Sequence, residues 1–271
     1  MKGKTFFSFQ KTVRDFYISH KRSLPWRDNI SPYGVVISEI MLQQTQVARV
    51  LQKYPTFMSR FPTFKDLARA QTKDVLQEWQ GMGYNRRGLY LKQIAEQITH
   101  THNGQLPKDP ALLDAMPGIG PATACAIVTY RYNVPTVFIE TNIRRVFLHH
   151  FFPDSEQVSD KEILPLVEKT LDTQNPREWY YALMDYGTFL GKTQANANVR
   201  SKHYAKQSQF EGSDRQLRSK IVKLLLEKER LEKETLFRKL DIDHDRFERI
   251  MDKLVQDKLI FIKERTIHIT H

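Results

Sequence analysis

The chain has 271 residues, 40% of them apolar and 27% charged, with a formal net charge of +11. That length can bury a sizeable core and suits two domains, and its apolar and charged shares are ordinary for a globular protein. The excess of positive charge favours a polyanionic partner, nucleic acid first, while a single cysteine, Cys125, excludes disulfides, zinc–cysteine sites and a four-cysteine iron–sulfur cluster within this chain.

The N-terminus lacks an extended apolar stretch ending in a small-residue cleavage site, and no run approaches the length of a membrane span. The expected location is the cytoplasm. Phe9, Val13, Phe16 and Tyr17 recur at helical spacing. Pro32 stands where a helix can begin, and the apolar run from Tyr33 to about Leu51 reads as its continuation. Thr63 and Thr72 are placed to cap short helices. Gly81-Met82-Gly83 breaks the chain, and residues 86–101 give another helix. Leu112–Met116 and Ala122–Tyr132 flank a glycine turn. Asn142–Phe151, Ser159–Leu171 and Pro176–Leu190 complete a helical region, 1–191, without convincing strands before residue 258.

Residues 192–213 turn polar and basic. From 192 to 220 there are seven Lys/Arg against two acids, which reads as a linker, either laid against phosphates or a disordered spacer. Residues 214–271 then give three helices and a hairpin, the order of a winged helix. Asp243 or Asp245 caps the third helix, whose Phe247, Ile250, Met251 and Leu254 are apolar. That helix mixes His244, Arg246, Arg249 and Lys253 with Asp245, Glu248 and Asp252, so DNA contact and docking on the helical region are equally open. The expected fold is mostly α: a two-lobed helical domain followed by a winged helix.

Three features carry chemistry. Pro117-Gly118-Ile119-Gly120 ends one helix and starts another at Ala122. Glycines there permit positive φ and close backbone approach, and the N–H groups of the following helix can hold a phosphate; the alternative is a plain helical hairpin. Glu39 lies within Val35-Val36-Ile37-Ser38-Glu39-Ile40-Met41-Leu42. A carboxyl in such a run is costly unless paired or protonated, and burial would raise its pKa towards that of a general acid; the alternative is a solvent-facing glutamate. Glu140 precedes Thr141-Asn142 at the start of a helix with Arg144 and Arg145. It is either a helix N-terminal charge favoured by the macrodipole or an ionised carboxylate beside a sugar that develops positive charge. Glycosidic cleavage needs one acid for the leaving group and one anion for the oxocarbenium-like sugar, a division of labour that these two residues can supply.

Leu24-Pro25-Trp26-Arg27, Ser38–Val47, Gly81-Met82-Gly83-Tyr84, Pro117–Gly120 and Ala182-Leu183-Met184-Asp185-Tyr186-Gly187 together resemble the successive motifs of MutY-type adenine DNA glycosylases, members of the helix-hairpin-helix superfamily that includes endonuclease III. The resemblance spans about residues 8–191. It implies a base excision repair enzyme that extrudes a mispaired base from double-stranded DNA and hydrolyses its N-glycosidic bond, acting as a monomer at a bacterial nucleoid. By that resemblance Glu39 is the catalytic acid and Glu140 stands at the catalytic aspartate. Gln44 and Tyr84 wedge into the duplex. Leu24, Trp26, Arg27 and Tyr181 form the base pocket, and Pro117, Gly118, Ile119, Gly120 and Ala122 form the phosphate-binding hairpin.

The departures from the family pattern are informative. Glu140 is one methylene longer than the family's aspartate. Ala122 replaces the nucleophilic lysine of endonuclease III-like lyases, so no Schiff base can form there and a monofunctional hydrolase is expected. Tyr181 replaces the usual Gln or Glu that touches adenine, which leaves base identity open. The cluster cysteines are absent, with Gly191-Lys192-Thr193-Gln194 and the basic stretch in their place, so no cofactor or metal is expected. The domain that reads 8-oxoguanine gives way to the winged helix. Adenine opposite guanine or 8-oxoguanine leads. Thymine or uracil opposite guanine is the alternative substrate, and a non-catalytic DNA-binding or regulatory protein the alternative class.

Overall fold

The computed structural model describes residues 6–206 and 209–270, which hold fifteen α-helices and one small sheet. They form two compact units. One comprises residues 6–35, 107–115 and 119–206; the other comprises 36–106, 116–118 and 209–270.

In the first unit, α1 (Phe6–His20) follows its predicted apolar spacing and buries Phe9 and Val13. The Phe9 ring meets Phe147 of α10 (Thr141–Phe151) at 5.2 Å and Trp179 of α12 (Pro176–Thr193) at 6.1 Å. The helices α10 and α12 approach closely at Gly187, where an added Cβ would stand 2.4 Å from the Asn142 carbonyl oxygen. Arg145 seals the approach by donating from Nη1 to the Gly187 carbonyl at 2.8 Å. The short α2 (Pro25–Asp28) and α8 (Pro110–Asp114), with α9 (Pro121–Tyr132) and α11 (Asp160–Thr170), complete this unit; a Ser159–Glu162 capping box starts α11.

The basic stretch that follows is not a spacer over its first half. The helix α12 runs on to Thr193, and a 3-10 turn spans Ala197–Arg200. Val158 N donates to Arg200 O at 2.8 Å and Lys202 N to Val158 O at 2.9 Å. Asn198 Nδ2 reaches Thr141 O, and the Arg200 guanidinium reaches Leu148 O at 3.0 Å. These side chains satisfy backbone carbonyls of α10 instead of hanging free. Gln207 and Ser208 of the expected linker lie outside the described residues.

The predicted helix from Tyr33 to Leu51 is two helices. The first, α3 (Pro32–Leu42), and the second, α4 (Val47–Arg60), are separated by a turn in which Gln44 has φ +52°. The polar run Gln43-Gln44-Thr45-Gln46 interrupts the apolar pattern at this break, and a buried arginine far along the chain, described below, holds the turn. The helices α5 (Phe64–Arg69), capped by Thr63, α6 (Thr72–Glu78) and α7 (Arg86–Thr101) follow. Gln71, not Thr72, occupies the cap position of α6.

The C-terminal segment runs α13 (Asp214–Lys228), β1 (Arg230–Glu232), α14 (Lys233–Leu240), α15 (His244–Gln256), β2 (Ile260–Lys263) and β3 (Thr266–Ile269). Asp243 caps α15 through the Arg246 amide. The antiparallel sheet has the order β1-β3-β2, with Leu231 and Ile262 both opposite Ile267. At three residues β1 is too short for an alternation signal, so the sequence shows only the hairpin. The core of this segment, including Leu225, Phe247, Ile250, Leu254 and Ile267, is continuous with Leu76 of α6 and Leu89 of α7. Lys73 pairs with Glu229 at 2.6 Å and Arg86 with Asp257 at 2.9 Å. Of the two roles left open by the sequence, docking on the helical region is the one these contacts record. It also explains why the compact units cut across the division at residue 214: apolar side chains of α6 and α7 complete the C-terminal core.

Candidate functional site

The second unit carries Glu39, Gln44 and Tyr84. From Tyr33 to Met41 every residue of α3 is buried except Glu39, which is only half-buried. A helix apolar on all sides is a core helix. The one carboxylate in it therefore has a place at the surface of its helix, intermediate between the deep burial and the full exposure considered from sequence.

Gln44 and Tyr84 share an unusual backbone. Both sit in the left-handed region, at φ +52° and +46°. For residues with a Cβ that conformation costs about 1–2 kcal/mol each and persists only where the surroundings fix it. Arg87 fixes it. Its side chain is 6% exposed, and Nη1 donates to the carbonyls of Ile40, Met41 and Gln43 at 2.9, 3.0 and 2.6 Å. Nη2 donates to Thr45 Oγ1 at 2.9 Å and to the carbonyls of Met82 and Gly83 at 3.0 and 3.3 Å. One planar guanidinium thus ties the end of α3 to the glycine turn. Burial pulls its pKa down to about 10, which leaves it charged at neutral pH. Trp79 adds a second tie, from Nε1 to Gly83 O at 3.0 Å.

The glycine hairpin joins the same network. Gln43 Nε2 donates to the Gly118 carbonyl at 3.0 Å. Gly118 has φ +77°, and a Cβ there would stand 2.3 Å from the Tyr90 ring, so only glycine fits. Gly120, the residue capping α9, is different: its φ is −102° and a Cβ would meet nothing within 4 Å. The protein's own packing does not require glycine there. Ala122 is exposed on the first turn of α9.

The first unit carries Glu140 and the pocket residues. Glu140 is the N-cap of α10, yet its carboxylate makes no capping hydrogen bond. It is partly exposed, but the protein around it is dense enough that desolvation dominates and pushes its pKa up to about 7, against the opposing pull of Arg27 and Arg144. The sequence reads Glu140 as either a helix N-terminal charge or an ionised carboxylate beside a sugar; desolvation in the fold works against that ionisation. Arg144 is itself fixed by two 2.7 Å hydrogen bonds to Asp160, which hold the Asp160 carboxyl below its ordinary range.

Arg27 is oriented by Asp185, which accepts from its Nη1 at 2.9 and 3.1 Å and from Arg22 Nε at 2.8 Å. The Arg27 guanidinium also lies 4.3 Å from the centre of the Tyr181 ring, and Tyr181 stacks on Tyr130 at 4.9 Å. Leu24 and Trp26 are each 4% exposed. The structure thus joins Arg27, Tyr181 and Glu140 in one electrostatic group, with Asp185 as an anchor that sequence reasoning missed. The same signal that marks Glu39, a single acid in an apolar helical run, marks Asp185 in Ala182–Gly187. Arg87 has no such signal, because Arg86-Arg87 at a helix start reads as surface charge.

An iron–sulfur cluster does not fit this chain. Its ligands are thiolates, and the segment after α12, where the family would supply them, offers Asn198 and Arg200 already committed to carbonyls of α10. Cys125 is partly buried on α9, where desolvation raises its pKa. No helix among the described residues is long and apolar enough to cross a membrane.

The HhH-GPD superfamily base excision DNA repair pattern matches residues 37–170. A protein of Mycolicibacterium smegmatis named adenine DNA glycosylase is 30% identical over 228 residues, 78% of each chain. Adenine DNA glycosylases of Buchnera aphidicola and Mycobacterium tuberculosis are 33% and 41% identical, over 67% and 48% of this chain. The chain covers 52% and 43% of those two, about half their length. In fold, a thermostable thymine-DNA glycosylase superposes with a TM-score of 0.60 at 22% identity, over 67% of this chain and 85% of its own. A non-covalent endonuclease III–DNA complex gives 0.60 at 18%, over 71% and 90%. The chain belongs to the HhH-GPD superfamily of base excision DNA repair proteins.

Proposed function

We propose that the protein is a monofunctional DNA glycosylase that excises a mispaired base, adenine opposite guanine or 8-oxoguanine, from double-stranded DNA. Glu39 is the general acid for the departing base. Glu140 is the anion that steadies the sugar as positive charge develops. Gln44 and Tyr84 enter the duplex, and Leu24, Trp26, Arg27 and Tyr181 receive the extruded base. The hairpin at 117–120 and the first turn of α9 at Ala122 hold a phosphate, for which a side-chain-free Gly120 leaves room. The relatives named adenine DNA glycosylase support the choice of base. The C-terminal segment is a winged helix, a reading supported by its element order and its β1-β3-β2 sheet.

The observation that carries this reading is Glu140: an acid at a helix N-terminus that does not cap the helix and is flanked by two fixed arginines. A panel of labelled duplexes with each mismatch, followed by alkali, tests it. Strand cleavage at adenine opposite guanine or 8-oxoguanine is the expected result. Cleavage only at thymine or uracil opposite guanine would move the assignment to that mismatch. No cleavage, with tight and salt-sensitive binding, would leave a DNA-binding module. Borohydride should trap no enzyme–DNA adduct, since Ala122 offers no amine; a trapped adduct would refute the monofunctional mechanism.

The role of Glu140 predicts a pH limb. Its folded pKa is raised to about 7, so the working anion is lost as pH falls through that value. Single-turnover excision should therefore climb between about pH 6 and about pH 8. Glu140→Asp should keep both limb and activity, whereas Glu140→Gln should lose both. Equal behaviour of the two variants would show that the charge is not what matters.

A further inference from the structure

Beside Tyr84 the second unit has an open pocket of about 630 Å³, within the range of small-ligand sites. One wall is catalytic-region chain, with Gln43, Gln44 and Gly118; the other is the C-terminal segment. Its charge is lopsided: Arg86, Arg87, Arg215, Arg218 and Lys253 line it against the single acid Asp257. Arg86 and Arg218 both pair with that carboxylate, so the lining keeps a net positive charge. Aromatic surface comes from Tyr84 and Tyr90. Cations, ring faces and amide side chains in one space fit a nucleotide: phosphate, base plane and base edge.

Tyr84 is also held from the C-terminal side. Arg215 Nη1 donates to its hydroxyl at 2.6 Å, and the guanidinium lies 5.2 Å from its ring centre and 5.4 Å from that of Phe210. Arg87 lies 5.6 Å from the same ring. Tyr84 is 36% exposed, and guanidinium groups of Arg87 and Arg215 lie against its ring.

We propose that residues 209–270 complete the duplex-entering end of this unit: Arg215 is a positioning residue for Tyr84, and the cavity beside them takes one nucleotide of the bound duplex. This rests on the reading of Tyr84 as a wedge. It makes the C-terminal segment part of the DNA-binding machinery through α13 and the end of α15, not through a recognition helix placed alone in a groove.

The test uses the full chain and a duplex with a non-hydrolysable target nucleotide flanked by 2-aminopurine, whose fluorescence rises on unstacking. Arg215→Ala should cut the rise by about fivefold, yet change it by less than about twofold in a Tyr84→Ala background, because the two side chains act as one. Arg215→Lys should fall between, since an ammonium cannot both bond the hydroxyl and lie against two rings. Lys253→Ala should flatten the plot of log affinity against log salt by about 0.9, one phosphate's share. Equal losses from Arg215→Ala with and without Tyr84, or an unchanged salt slope in Lys253→Ala, would overturn the proposal. A wild-type chain that binds the duplex with no fluorescence rise would overturn the wedge reading beneath it, so the two failures are distinct.

Discussion

On the proposed role of Glu39, Glu39→Gln should lower single-turnover excision by about 10²-fold or more while leaving thermal stability nearly unchanged. The reasoning starts from α3. Glu39 is the one half-buried residue in a stretch of α3 that is otherwise buried from Tyr33 to Met41. Glutamine preserves shape and hydrogen-bonding capacity but cannot deliver a proton. A structural glutamate would show the reverse pattern, with melting affected and rate preserved. Excision within about threefold of wild type would remove Glu39 from the mechanism.

Arg87→Ala costs about 3 kcal/mol or more of folding stability, and Arg87→Lys nearly as much. Five backbone carbonyls and one hydroxyl accept from this guanidinium, and of those carbonyls Gly83 O has a second donor in Trp79 and Gln43 O one in Thr45. Each buried acceptor left without a donor costs about 1–3 kcal/mol, and lysine's three donors cannot reproduce the planar fork. The loss falls on the two left-handed residues first. Urea titration gives the stability change, and the 2-aminopurine signal gives the wedge. A variant that loses less than about 1 kcal/mol would mean that Gln44 and Tyr84 are fixed by something else.

What could be read from the sequence follows from the range over which each signal acts. Helices with a marked apolar face, such as 86–101, or with a local cap, such as Thr63 and Asp243, were legible because neighbours three or four positions apart decide them. The break between α3 and α4 falls at the polar run Gln43-Gln44-Thr45-Gln46, but the guanidinium that holds the turn comes from Arg87, more than forty positions away. The fate of residues 194–202 was hidden in the same way: polar composition suggests a linker, but Asn198 and Arg200 find carbonyls on α10. At the candidate site, Glu39 stands out as a lone acid in an apolar run and Glu140 as an acid at the mouth of a basic helix. The raised pKa of Glu140 was not foreseeable, since it depends on how closely the fold surrounds it.

The second unit is assembled from pieces that leave the ribosome far apart, with Leu76 and Leu89 waiting for Leu225, Phe247 and Leu254. Until residues 214–270 have emerged, those two leucines lack these partners. A chain cut before residue 214 should expose Leu76 and Leu89 and be prone to aggregate, an outcome that light scattering checks.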